Sequence, residues 1–231
     1  MNSGFFVTGT DTGVGKTCVA TALIAALREQ GHRVAGMKPV ASGCVVTPTG
    51  LRNADALALL AASGLDLPYE WVNPYAFAPA VAPHLAAAQA RVTVRFDRIA
   101  QAFDGLHAQA RDVVVEGVGG WRVPLGPDGE VADLAACLRL PVVLVVGLRL
   151  GCLNHAALTA ADIRRCGVPF AGWVGSAVDA DFELLAENLA ALRELLPEPC
   201  LGVLPHAPQA APASLARHLR LPVLAPGQVP A

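Results

Sequence analysis

Six short apolar runs punctuate the chain, at Phe5–Gly9, Val34–Val40, Asp112–Glu116, Pro141–Gly147, Phe170–Ser176 and Cys200–Leu204. They are rich in Val, Leu and Phe, and they are unbroken rather than alternating. That is the pattern of strands buried on both faces of a parallel sheet. Between them lie stretches with helical periodicity: Lys16–Gln30, Ala54–Ala62, Arg95–Ala110, Asn154–Cys166 and Phe182–Leu196. Gly31 and Gly167 follow two of these as helix-terminating glycines. Strand and helix in turn predict an α/β fold with a doubly wound, mostly parallel sheet flanked by helices. No linker divides the chain, so residues 1–225 are expected to form a single domain. The Pro-rich stretch from Pro222 reads as irregular, its last residues, 226–231, lying outside that domain. Val46–Leu51 and Val72–Pro83 read as long functional loops.

Composition narrows the class. Of 231 residues, 54% are hydrophobic and 16% charged, too apolar a balance for a disordered chain. Lys and Arg number 17 against 19 Asp and Glu, for a net charge of -2, which predicts no nucleic-acid partner. Apolar runs such as Pro141–Gly147 fall far short of the roughly 20 residues that a spanning helix needs. The first residues lack the charged and apolar regions of a signal peptide. The expectation is a cytoplasmic protein with no membrane association. The cysteines, Cys18, Cys44, Cys137, Cys152, Cys166 and Cys200, form no C-x-x-C pair and read as structural thiols. No two histidines have the i, i+4 spacing of a two-His metal face.

The chemistry concentrates after the first strand. Gly9–Thr17 reads GTDTGVGKT, running from a strand directly into a helix that starts near Lys16. Exposed N–H groups at such a helix start converge on an anion. Gly13 and Gly15 let the backbone close around phosphate oxygens. Lys16 can reach the β- and γ-phosphates, and Thr17 can offer its hydroxyl to Mg²⁺. The first glycine stands one place earlier than in the usual P-loop pattern. The fold expected is therefore of the P-loop NTPase type.

Mg²⁺ also needs carboxylates. Glu116 ends the third apolar run, at the strand edge that lines the crevice of an open parallel sheet. Asp55 is a second candidate, and it reads equally as a first-turn acid favoured by the helix dipole. Lys38, in AGMKPV, either snorkels outward or faces an anion at the crevice edge. Ser42 supplies a hydroxyl on the turn that follows.

Several blocks together resemble the dethiobiotin synthetases, ATP-dependent carboxylases of biotin biosynthesis. They are FVTGTDTGVGKT (Phe6–Thr17), GMKPVASG (Gly36–Gly43), TPTGLRNADALAL (Thr47–Leu59), VNPYAF (Val72–Phe77), APH (Ala82–His84), VVVEGVGGW (Val113–Trp121), LPVVLVVG (Leu140–Gly147), LGCLNHAALTA (Leu150–Ala160) and AGWV (Ala171–Val174). The early first glycine is also this family's habit. The resemblance implies that 7,8-diaminopelargonate captures CO2 as a carbamate, that ATP phosphorylates the carbamate, and that the second amine closes a cyclic urea. It implies Lys16 and Lys38 as catalytic groups, and Thr17, Asp55 and Glu116 as Mg²⁺ ligands. The nucleotide contacts it implies are Thr12, Gly13, Val14, Gly15, Lys16, Thr17, Cys18, Asp55, Glu116, Gly117, Val118 and Gly119, with Ser176, Pro205, His206 and Ala207 around the base. Ser42 becomes a substrate contact. A homodimer is implied, in which Gly151, Cys152 and Asn154 reach the partner's substrate carboxylate; Asn154 also reads as a helix N-cap.

The chain departs from this pattern in two places: Gly13 stands where many members carry Glu, and Gly175-Ser176-Ala177 where an Asn-Asp pair usually reads the base. The rival reading is a partitioning or switch ATPase of the same lineage. Such proteins usually carry a second lysine at the position of Asp11.

Overall fold

The computed structural model describes residues 3–207 and 209–221. The expected irregular stretch from Pro222 lies outside them. Six strands form one parallel sheet: β1 (Gly4–Gly9), β2 (Val34–Met37), β3 (Asp112–Glu116), β4 (Val142–Gly147), β5 (Phe170–Ser176) and β6 (Cys200–Leu204). Their order across the sheet is β6-β5-β4-β1-β3-β2. From β1 the chain crosses to the β2 edge; from β3 it crosses to β4 on the other side of β1. The crevice at a reversal of this kind, beyond the C-terminal strand ends, is where open α/β sheets bind ligands.

The unbroken apolar runs prove to be two interleaved patterns of period two. Phe5, Val7, Val114, Val143 and Val145 pack with Val19, Leu23, Ile24 and Leu27 of helix α1 (Lys16–Glu29). Phe6, Val113, Val115, Val142 and Leu144 face the opposite layer. That layer includes Ile99, Phe103 and Leu106 from Phe96–Gln109, Leu134 and Leu138 from Val131–Leu138, and Ile163 from Cys152–Arg165. Each large apolar side chain fully buried in this way contributes about 1.5–3 kcal/mol. Among the described residues, no helix is long and apolar enough to cross a membrane.

The structure corrects several expected boundaries. The second run stops as a sheet strand at Met37. Pro39 has no N–H for a ladder, and the Lys38 amide already turns away to the Val72 carbonyl at 2.7 Å. Val40–Ala41 then pairs with Tyr75–Ala76 in a separate short ribbon, inside what read as the second long loop. Most of the first is a hairpin, Val45–Thr47 against Gly50–Arg52. The helix expected from Asn154 begins at Cys152, capped by the left-handed Gly151, so Asn154 lies exposed in its first turn and is not the N-cap. Val131–Leu138 was not expected as a helix. It lacks a Ser or Thr cap; instead the Asp133 carboxylate accepts from the Glu130 amide at 2.9 Å. Of the cysteines, Cys44 and Cys152 are buried, whereas Cys18 and Cys137 are exposed.

Gly36 decides how closely helix α2 (Ala54–Ser63) approaches β2. A Cβ there would lie 2.8 Å from the Leu59 Cβ and 2.9 Å from the Ile24 side chain, while the Gly36 amide donates to Ser63 Oγ at 2.8 Å. Gly36→Ala is expected to destabilise the fold by about 1–3 kcal/mol through overpacking, read as a lower urea midpoint at unchanged slope.

Candidate functional site

The Thr10–Gly15 loop joins β1 to α1. Gly13 and Gly15 adopt φ of 73° and 88°, values that disfavour residues with a Cβ, and a Cβ on Gly15 would also run into the Ser176 hydroxyl. No side chain caps α1, so its first N–H groups are left for an anion. Lys16 is buried, its Nζ donating to the Asp11 carbonyl at 2.8 Å. Burial, and then the neighbouring Lys38 ammonium, pull its pKa down to about 8.

Lys38 neither snorkels nor stands free. It is 3% exposed, and its Nζ donates to Glu116 Oε1 at 2.6 Å, Asp55 Oδ2 at 2.9 Å and the Gly117 carbonyl at 3.2 Å. Thr17 Oγ1 donates to the same Glu116 oxygen at 3.0 Å. Burial penalises the Lys38 charge, but the Glu116 and Asp55 carboxylates outweigh it and hold its pKa above the ordinary lysine value. Asp55, although partly buried, is held below the ordinary aspartate value by Lys38. Glu116 is pushed up by burial, with Lys38 opposing. Its second oxygen, Oε2, is buried with no hydrogen-bond partner among the described residues.

These groups share one cavity of about 800 Å³. Thr12, Gly13, Gly15, Lys16, Thr17, Cys18, Lys38, Ser42, Asp55, Glu116, Val118 and Gly119 all line it. The chain matches a protein-family profile described as an AAA domain over residues 3–214. It is 53% identical over 217 residues to an ATP-dependent dethiobiotin synthetase of Cellvibrio japonicus, covering 94% of this chain and 95% of the relative. It is 55% identical over 218 residues to one of Xanthomonas oryzae pv. oryzae, covering 94% and 97%. The chain belongs to the ATP-dependent dethiobiotin synthetase family.

Solved structures share its fold at much lower identity. The MinC:MinD cell division complex of Aquifex aeolicus matches with a TM-score of 0.55 at 14% identity, over 90% of this chain and 83% of that one. The septum site-determining protein MinD of Pyrococcus horikoshii, complexed with Mg-ADP, matches with a TM-score of 0.50 at 15% identity, over 90% and 83%. At such identities the likeness concerns the fold alone.

Not every residue expected at the site lies in the cavity. Val14 is buried, and a Cβ on Gly9 or Gly147 would run into its side chain. Gly117 takes part through its carbonyl, which accepts from Lys38. Ser176 is buried beside Gly15 rather than open to the cavity. His206 Nδ1 lies 3.0 Å from the Ala177 carbonyl, tying together the segments that follow β5 and β6, and Pro205 and Ala207 flank it. Gly151, Cys152 and Asn154 lie apart from this cavity: Gly151 and Asn154 are exposed and Cys152 is buried.

The sequence reading missed two groups. Asn53 lines the cavity and caps α2, its Oδ1 accepting from the amides of Asp55 at 3.0 Å and Ala56 at 3.2 Å. An Asn just before a helical stretch was the available signal. Ala80, Val81, Ala82 and Pro83, at the end of the stretch that reads as a functional loop, form an apolar wall, a role for which none of them was singled out.

Proposed function

We propose that this chain converts 7,8-diaminopelargonate, CO2 and ATP to dethiobiotin, ADP and phosphate through a carbamate and a carbamic–phosphoric anhydride. The observation that carries this reading is the buried Lys38 ammonium, set between two carboxylates in the cavity of the phosphate loop. Simple nucleotide binding has no need of a second buried cation held off the loop. A reaction that develops anionic charge on a second substrate does.

One amine attacks CO2 and sheds a proton, leaving a carbamate. A carbamate oxygen then attacks the γ-phosphorus, and ADP departs. The second amine attacks the carbonyl carbon, phosphate leaves, and the urea ring closes. Phosphoryl transfer of this kind depends on positioning and on charge stabilisation. Lys16 and the loop amides stabilise the transferring group; Lys38 neutralises the carbamate, with Ser42 on the same segment contacting it. The apolar wall at Ala80–Pro83 suits the methylene chain of the substrate.

Thr17, Asp55 and Glu116 suit Mg²⁺. All three offer hard oxygen ligands, and the orphaned Glu116 Oε2 is a buried acceptor in want of a cation. Bound there, Mg²⁺ would supply charge neutralisation at the phosphates. The active form is a homodimer in this reading. Leu150 is 93% exposed directly before the capping Gly151 of a 14-residue helix, an apolar side chain for a second copy to cover beside N–H groups suited to a substrate carboxylate.

Purified protein given ATP, Mg²⁺, bicarbonate and 7,8-diaminopelargonate is expected to form the cyclic urea, identified by mass spectrometry, with ADP release that depends on the diamine. Absence of that product would sink the reading. ADP release stimulated instead by DNA or lipid would favour a switch ATPase.

A further inference from the structure

The block Val72–Phe77 and the residues just before it have no part in the reaction as set out above, yet they hold the site together. Asn73 is 3% exposed, and its Nδ2 donates to the Lys38 carbonyl at 2.7 Å and to the Tyr75 carbonyl at 3.2 Å. Two carbonyl acceptors fix that end of the amide as the donor, which leaves Oδ1 to accept from the Tyr69 hydroxyl at 3.1 Å. The same hydroxyl accepts from the Asn53 amide at 2.8 Å. The Asn53 side chain in turn holds the Asp55 amide. The Asp55 carboxylate then meets Lys38 Nζ at 2.9 Å. The hydrogen bonds therefore close into a ring that runs Lys38, Asn73, Tyr69, Asn53, Asp55 and back to Lys38. The guanidinium of Arg52 lies over the Tyr69 ring, 4.1 Å from its centroid, and holds the phenol from the side.

We infer that Tyr69 and Asn73 are positioning residues for the reaction: through this closed ring they fix Lys38 and Asp55, which stand on different elements, at one spacing. The inference rests on the dethiobiotin synthetase reading for what that spacing achieves. Lys38 sits on a segment that has left the sheet, and Asp55 on the first turn of a separate helix. Neither β2 nor α2 alone sets the distance between them. Tyr69 and Asn73 are joined by a backbone bond one helical turn long, Asn73 N to the Tyr69 carbonyl at 2.8 Å, so the brace is itself stiff. Supporting partners of this kind carry about 10- to 100-fold in metal affinity or activity.

Tyr69→Phe tests this with the least disturbance, because the ring stays under Arg52 and only the hydroxyl is lost. Turnover to the cyclic urea is expected to fall by about tenfold or more, and Mn²⁺ affinity in the ADP complex, read by electron paramagnetic resonance, to fall several-fold. ADP affinity measured without divalent metal is expected to stay at the wild-type value. Asn73→Ala is expected to do the same more strongly; if it does not fold, Tyr69→Phe decides. Wild-type turnover together with wild-type Mn²⁺ affinity would overturn the inference. So would a loss of metal-free ADP affinity parallel to the loss of turnover, which marks a merely structural role. If the unaltered protein makes no cyclic urea, the functional reading fails by itself, and the Mn²⁺ titration still reads the brace.

Discussion

Lys38→Ala is expected to abolish cyclic-urea formation for practical purposes, lowering turnover by about 100- to 1000-fold, while metal-free ADP binding stays near the wild-type value. The two effects separate because Lys38 touches Glu116, Asp55 and Gly117 and none of the phosphate-loop residues. The fold suffers as well. Removing one member of a buried pair leaves the other charge uncompensated, at about 3–5 kcal/mol. The cost falls on Glu116, which is 1% exposed, more than on Asp55, which reaches solvent. Its sign with pH follows from linkage. Burial already raises the folded pKa of Glu116 above the ordinary glutamate value, and loss of Lys38 raises it further. The folded variant then binds a proton that the unfolded chain has released, so its stability falls as pH rises between the two values. Thermal melts of the variant are therefore expected at higher temperature in mildly acidic than in mildly basic buffer, a difference larger than in the wild type. Wild-type turnover would remove Lys38 from the chemistry. An equal loss of ADP affinity would place it in the nucleotide site alone.

What could be read in advance depends on how local the cause is. The six strands were legible because burial on both faces leaves a mark in each run, and β1 with its loop because a strand, two glycines and a Lys-Thr pair stand in contact along the chain. Glu116 was legible from its place at a strand end. The partners of Lys38 were not. Whether a lysine snorkels or pairs depends on what two distant segments bring to it, and Asp55 lies 17 residues away and Glu116 78. The N-cap reading of Asn154 failed for a related reason, and the neighbour that Ser176 meets could not be read in advance either. A helix start moved by two residues turns a capping side chain outward, and a hydroxyl at a strand end faces whichever neighbour is nearer, here Gly15. The brace of Tyr69 and Asn73 was not legible, although Asn73 lies in the block Val72–Phe77, because the bonds that close it, Asn73 to Lys38, Asn53 to Tyr69 and Lys38 to Asp55, join segments 16 to 35 residues apart. The resemblance to a family carried the reaction. The residues alone carried a phosphate loop, Glu116 at the crevice edge, and two undecided groups, Asp55 and Lys38.

Lys16→Ala is expected to show the opposite balance of stability and activity. In this structure Lys16 gains little from the fold: its ammonium donates to the Asp11 backbone carbonyl, and the pull of Glu116, Asp55 and Asp11 does not offset its burial and the repulsion of Lys38. Burial and Lys38 together hold its pKa near about 8 against an ordinary 10.5, so the folded protein disfavours the charge it carries at neutral pH. A depressed lysine pKa destabilises below the folded value, and the penalty fades as pH rises toward the unfolded one. Removing the group lifts a penalty of up to about 3 kcal/mol, offset in part by lost packing of the methylene stem. The melting temperature at neutral pH is therefore expected to be unchanged or raised. Function pays the difference: without the ammonium the phosphates lose a preorganised donor, and turnover falls by about 100- to 1000-fold, now together with ADP affinity. Both variants lose turnover, and the two lysines separate in the other two measurements, stability and ADP affinity. Lys38→Ala loses stability and turnover and keeps ADP; Lys16→Ala keeps stability and loses turnover and ADP. A melting temperature lowered as far by Lys16→Ala as by Lys38→Ala would contradict the electrostatic account of the site. Nucleotide affinity retained in Lys16→Ala would mean that the loop amides hold the phosphates without it.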